Sequence, residues 1–282
     1  MKIVVIGDPK RKEKDLPLIR ESEKFFDVCL YAPINEIRVE IEKGLTVKFY
    51  DKNLADFDHV LPVPTLTYTE LFYITMRVLS EFAYLPFEPQ KYLLASNEPL
   101  LFHYLRENGI KTKNFFLLTS KTPIKNIKKE IVFPCVIKQL DKEVVVTNFH
   151  TFHDVISLQK AGSPLLVWNV IKSERNIWAF ITDNFITSYE KTNSSSKPIE
   201  LSNELKDMAF KIKKLMECDY CVLNFLKFKD DFILNKFTFS PNFSNFEKIT
   251  KENIAKILMD VLHEKIKKKK RWWHRIFEVV KK

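Results

Sequence analysis

The sequence predicts an α/β fold, and three observations carry that prediction. The N-terminus reads strand, helix, strand. The chain closes on a helix followed by two apolar strands around a charged turn. The composition is that of an ordinary globular protein, 45% hydrophobic and 29% charged, and 282 residues suffice for two or three small domains with a sizeable core.

Residues 2–6 (KIVVI) form a short buried strand that runs into Gly7-Asp8-Pro9. Residues 16–26 are helical, and 28–31 form a second strand that stops at Pro33. Strand, helix and strand in that order imply a parallel, Rossmann-like start. Only four glycines occur, at positions 7, 44, 109 and 162, so no glycine-rich phosphate loop or dinucleotide fingerprint can be built. Residues 38–42 and 46–50 alternate around Lys43-Gly44 as a hairpin, 57–62 (FDHVLP) form a strand, and 69–82 have helical spacing through Leu71, Phe72, Met76 and Leu79. Pro86 and Pro89 punctuate the end of this first domain, residues 1–90.

Ser96 or Asn97 caps the next helix, Pro99 suits its first turn, and Gly109 is its stop. Residues 133–138 (FPCVIK) make a strand that ends on Lys138, and β-branched Val144, Val145 and Val146 follow after a tight turn. Residues 152–160 are a short helix, and 164–171 (PLLVWNVI) a strand. Residues 176–189 are a hairpin through Thr182-Asp183-Asn184. Ser202 caps a helix with Met208, Ile212 and Leu215 on one face. Strands 222–228 and 232–239 then flank the turn Lys229-Asp230-Asp231, and Ser240-Pro241 leads to a helix that opens at Thr250.

Helix, strand, charged turn, strand and Ser-Pro step resemble the C-terminal signature of the ATP-grasp superfamily, in particular its RimK-like and glutathione-synthetase-like carboxylate–amine ligases. The resemblance implies an N-terminal pre-ATP-grasp domain (1–90), a central subdomain (91–170) and a C-terminal subdomain (171–264), followed by a basic tail (265–282). It also implies a nucleotide site. Lys138 would reach the phosphates, Asn169 and Val170 would lie at the adenine hinge with Trp168 in place of a Gln, and Lys191 would replace an Arg. Asn224 and Asn235 would stand where the family has magnesium-binding carboxylates, with Phe237 in place of the following Asn. Glu98 falls on a family Lys, Ile177 on a family Arg and Val63 on another Arg. These coordinated losses imply a non-catalytic homologue that acts as a binding or scaffold protein, with no catalytic residue, metal ligand or cofactor. The alternative is an active ligase that uses ATP and Mg2+ with relocated ligands such as Asp230, Asp231 or Glu247.

The net charge of +10 is concentrated. Residues 265–282 hold nine Lys and Arg against Glu278, a net +8, which leaves +2 for residues 1–264. Trp272, Trp273, Ile276, Phe277 and Val280 share one face of a helix there. With Lys268, Lys269 and Arg271 they form a surface for an anionic membrane or a partner protein; nucleic acid is the third possibility. No apolar run approaches a span of ~20 residues, so the expected location is cytoplasmic, or peripheral to a membrane, with Cys29, Cys135, Cys218 and Cys221 as reduced thiols. Cys218-x-x-Cys221 and His150-x-x-His153 have metal-like spacing but supply only two ligands apiece.

Overall fold

The computed structural model describes residues 1–41, 44–122, 127, 129–139, 142–158, 164–173 and 175–280, with backbone alone at 66 and 269–280. Two compact units result: unit 1 is Met1–Ser96, Ile177–Asn224 and Lys236–Lys282, and unit 2 is Asn97–Asn176 and Phe225–Asn235.

The chain starts as expected. Strand β1 (Lys2–Gly7) leads through α1 (Lys12–Phe25) to β2 (Val28–Pro33), which runs parallel to it. Ile3, Val4, Val5 and Ile6 are all buried, as a central parallel strand with two covered faces requires. Gly7 serves packing: a Cβ there would lie 2.7 Å from the Tyr31 hydroxyl. Strands β3 (Ile37–Ile41), β4 (Leu45–Phe49) and β5 (Lys52–Asn53) make a separate antiparallel sheet. Strand β6 (His59–Val63) returns to pair parallel with β1, giving the order β2-β1-β6. Helices α2 (Thr69–Leu79) and α3 (Pro89–Ser96) complete this stretch.

Unit 2 opens with α4 (Glu98–Glu107), capped by the Asn97 side chain and ended by Gly109 at φ +76°. Strand β7 (Phe116–Leu118) follows, then β8 (Cys135–Gln139), β9 (Lys142–Val146), α5 (Phe149–Ser157) and β10 (Leu165–Asn169). Their sheet has the order β7-β10-β8-β9 and is antiparallel throughout. Its core gathers Leu118, Ile137, Val146, Phe152, Ile156 and Val167.

The remaining strands are β11 (Asn176–Ile181), β12 (Ile186–Lys191) and β13 (Ser196–Pro198). After α6 (Asn203–Leu215) come β14 (Cys221–Phe228) and β15 (Asp231–Thr238), in a sheet ordered β13-β12-β11-β14-β15. Asp231 joins β15, so the turn is Lys229-Asp230, with Lys229 at φ +56°. Helix α7 (Phe243–Thr250) and helix α8 (Ile254–Val280) end the chain. Thr250 therefore closes a helix instead of opening one. The earlier start comes from Asn242, whose side chain accepts from the Asn245 N–H at 3.1 Å.

One core runs through unit 1. It joins Ile3, Val5, Leu18 and Leu61 to Tyr220, Val222, Phe243, Ile254, Leu258, Leu262 and Ile266. The expected boundary between fold and tail at 264/265 falls inside α8. Lys265 pairs with Asp183 and Asp219, and Ile266 is 2% exposed. Helix α8 runs on past this point because nothing between Ile254 and Val280 stops a helix: the segment has no Gly or Pro. Ile266→Ala should therefore lower the stability measured by denaturant unfolding by about 2–3 kcal/mol.

Two buried titratable groups oppose each other in unit 1. Burial raises the Asp15 carboxyl to about 6, against the pull of Arg11, 3.5 Å away. Burial lowers His59 to about 4, and its Nδ1–H donates to the Tyr84 carbonyl at 2.7 Å. Between these values the folded state holds an extra proton on Asp15, so that group adds stability as pH falls from about 6 to about 4. His59 is charged only in the unfolded chain over the same range and subtracts stability. Asp15→Asn should remove the first effect alone. The stability gap between wild type and variant should shift by about 2–3 kcal/mol between pH 7 and pH 4 in favour of the wild type, read from denaturant melts across pH.

Candidate functional site

In unit 2 the lysine at the end of β8 meets an acid. Lys138 Nζ lies 2.8 Å from Glu98 Oε2, and Lys113 Nζ lies 2.6 Å from Glu98 Oε1. The Asn97 cap places Glu98 in the first turn of α4, where the helix dipole favours a carboxylate. Lys113 is held from several sides. It sits 4.2 Å above the Trp168 ring and 5.4 Å from that of Phe102, and it is only 5% exposed. Burial pushes the Glu98 carboxyl up, but the two ammonium groups outweigh it and hold its pKa below the ordinary carboxylate value.

The rest of the expected nucleotide set in this unit is committed to its own fold. The Asn169 side chain accepts from the Val132 N–H at 3.0 Å, and the Val170 N–H donates to the Pro134 carbonyl at 2.9 Å. Strands β8 and β9 stay paired out to Gln139 and Lys142, which leaves only positions 140 and 141 to join them; these lie outside the described residues.

Unit 1 carries a cavity of about 350 Å3 lined by residues of β11, β12, β14, β15 and the start of α7. Lys191, at the end of β12, lines it. On β15 the cavity face is formed by Lys236 and Thr238, continued by Ser240. Asn235 and Phe237 are therefore one position out of register, and in a strand one position reverses the face. Phe237 is 7% exposed and meets the Phe239 ring edge-on at 4.8 Å. Asn224 is buried in β14 and donates to the Ile177 carbonyl at 3.0 Å. Arg11 also lines the cavity and had no signal in the sequence beyond its charge.

The remaining candidates do not converge. Asp231 pairs with Lys111 at 2.6 Å in unit 2, whereas Glu247 lies on α7 of unit 1. Cys218 and Cys221 are buried, and His150 is exposed beside Asp154. Among the described residues no three His, Cys, Asp or Glu side chains gather as metal ligands, and no helix is long and apolar enough to cross a membrane. Lys268 is exposed on α8; the side chains of Lys269, Arg271, Trp272, Trp273 and Phe277 lie outside the described residues.

Residues 179–262 match the family model of the RimK-like ATP-grasp domain. Three solved structures share the architecture. The ATP-grasp ligase PsnB, complexed with minimal precursor, Mg and ADP, superposes with a TM-score of 0.67 at 14% identity, covering 94% of this chain and 98% of its own. The macrocyclase MdnC from Microcystis aeruginosa MRC, bound with precursor peptide MdnA, gives 0.70 at 13% identity over 93% and 99%. The D-alanine–D-alanine ligase from Bacillus anthracis, complexed with ATP, gives 0.70 at 17% identity over 96% and 98%.

Residues 179–262 carry the match to the RimK-like ATP-grasp domain, and the whole chain has the fold of ATP-grasp ligases. No curated protein sequence matches it.

The Glu98 cluster also bears on stability. Glu98→Gln would leave the Lys113 ammonium buried without a counter-ion, and breaking such a pair costs about 3 kcal/mol. The depressed carboxyl contributes its stability above the ordinary Glu value of about 4.3 and loses it as pH falls through the folded value. Chemical denaturation should show the full deficit of Glu98→Gln at neutral pH, and the deficit should close in acid.

Proposed function

We propose that this ATP-grasp protein uses the ligase scaffold for binding and does not catalyse ligation. The observation that carries this reading is Glu98, bound to both Lys138 and Lys113. A polyphosphate approaching Lys138 would meet a carboxylate already in place, at a distance where like charges repel strongly in a partly dry site.

The magnesium–ATP complex does not fit the residues of unit 1 either. Magnesium takes oxygen ligands in near-octahedral geometry, usually with one or two carboxylates. Asn224 is tied to a backbone carbonyl, Phe237 packs on an aromatic ring, and the cavity face of β15 offers Lys236 and Thr238. Among the described residues that line the cavity there is no carboxylate. A lysine there repels the metal that a carboxylate would hold.

A peptide or protein is the partner class this reading favours, because PsnB and MdnC have each been solved with a precursor peptide. The net +8 of residues 265–282 would draw the protein to an anionic partner or membrane surface.

Isothermal titration with ATP in magnesium buffer, beside a phosphate-release assay, tests the proposal. The expected outcome is no hydrolysis above the blank and no saturable heat at micromolar nucleotide. Stoichiometric micromolar binding that disappears in Lys138→Ala would instead favour the active-ligase reading.

A further inference from the structure

We propose that the cavity of unit 1 is a metal-independent site for a small, multiply phosphorylated molecule; the proposal rests on the reading above that magnesium–ATP binding has been abandoned. Three cations line this cavity, each from a different part of the fold. Arg11 comes from the turn after β1, Lys191 from the end of β12 and Lys236 from β15. Among the described residues neither Lys191 nor Lys236 has an ion-pair partner, and no carboxylate lines the space between these side chains.

Two exposed lysines alone would be an ordinary solvated surface. Arg11 makes the difference. Its side chain is 22% exposed, its Nε is buried without a hydrogen-bond partner, and its Nη2 is held by the Pro241 carbonyl at 3.4 Å and by the Asp15 carboxyl at 3.5 Å, which fixes the guanidinium and offsets part of its charge. A guanidinium fixed in this way is a preorganised donor for phosphate oxygens.

The polar lining agrees with an anion. The first turn of α7 contributes Asn242 and Asn245, so the positive end of that helix adds to the field of the cations. Ser196 and Thr238 supply hydroxyl donors. The charge is local, since residues 1–264 carry only +2.

Size and walls set the ligand class. About 350 Å3 is at the lower end of small-molecule sites, room for a pyrophosphate group or a phosphorylated sugar but not for a folded partner. Trp178, Tyr189 and Phe246 form apolar walls against which a ring could lie. In sites that use magnesium the metal offsets the phosphate charge; here Arg11, Lys191 and Lys236 would do so directly.

The test is calorimetric titration of the full chain with sodium pyrophosphate in EDTA. One-to-one binding is expected without metal, weakening when magnesium is added because the metal competes for the probe. Lys191→Gln and Lys236→Gln, each at an exposed position and checked for an unchanged melting temperature, should each weaken it about tenfold, the value of one charge-assisted contact. Lys138→Ala in unit 2 should leave it unchanged, so this titration and the magnesium–ATP experiment can fail independently. No binding at millimolar pyrophosphate, or a requirement for magnesium, would overturn the proposal. So would loss in Lys138→Ala, or binding untouched in the Lys191→Gln/Lys236→Gln double variant, which would place the anion on the basic tail.

Discussion

Burial of α8 along α1 is the contact on which unit 1 depends. The N-terminal sheet has only three strands, and its central strand is apolar on both faces. Such a sheet needs a cover on each side. Leu18 of α1 meets Ile254, Leu258 and Leu262 of α8 in one core, together with Tyr220 and Val222 at the start of β14. Fully burying each large aliphatic side chain stabilises by about 1.5–3 kcal/mol, so the set outweighs any single polar contact in the unit. Because this core includes Val222 of β14 and Phe243 and Phe246 of α7, it also fixes part of the cavity wall.

The charges of the two units are arranged differently, and the contrast bears on function. In unit 2, Lys138 and Lys113 are satisfied by Glu98, and burial makes that carboxylate part of the fold's stability. In unit 1, Lys191 and Lys236 stand at a cavity without acids. The ligase PsnB and the macrocyclase MdnC share this scaffold at 14% and 13% identity. Packing constrains Ile137 and Val222, which are buried, whereas Lys236 is exposed.

Much of this could be read from the residues alone. The alternation of strand and helix at the N-terminus was legible because the run Ile3 to Ile6 is unbroken and bounded by Gly7 and Pro9. The closing hairpin was legible from its charged turn. The facing of β15 was not, since Phe232, Ile233, Leu234, Phe237 and Phe239 put apolar side chains on both faces. Ser240 was the available anchor: its hydroxyl donates to the Pro64 carbonyl at 2.6 Å, and counting back by twos reaches Thr238 and Lys236. The partner of Glu98 could not be deduced either. The stretch GIKTKNF offers Lys111 and Lys113, and only the fold sends the first to Asp231 and the second to Glu98. The run of basic residues after 264 marks off a tail by charge alone, whereas helix propensity carries α8 through it.

The path of the chain has a consequence for its synthesis. Unit 1 is assembled from three segments, and the Ser22 hydroxyl of α1 contacts the sulfur of Met259, 237 positions later. When β1, α1 and β6 leave the ribosome, the helix that covers them has not been made. Unit 2 also waits, since the backbone of Lys111 and Lys113 pairs with Leu234 at the tip of the closing hairpin. Contacts this remote in sequence form slowly and leave apolar surface open in the meantime. The nascent N-terminal half is thus an aggregation-prone intermediate for most of translation, and a chain that ends before α8 never leaves that state.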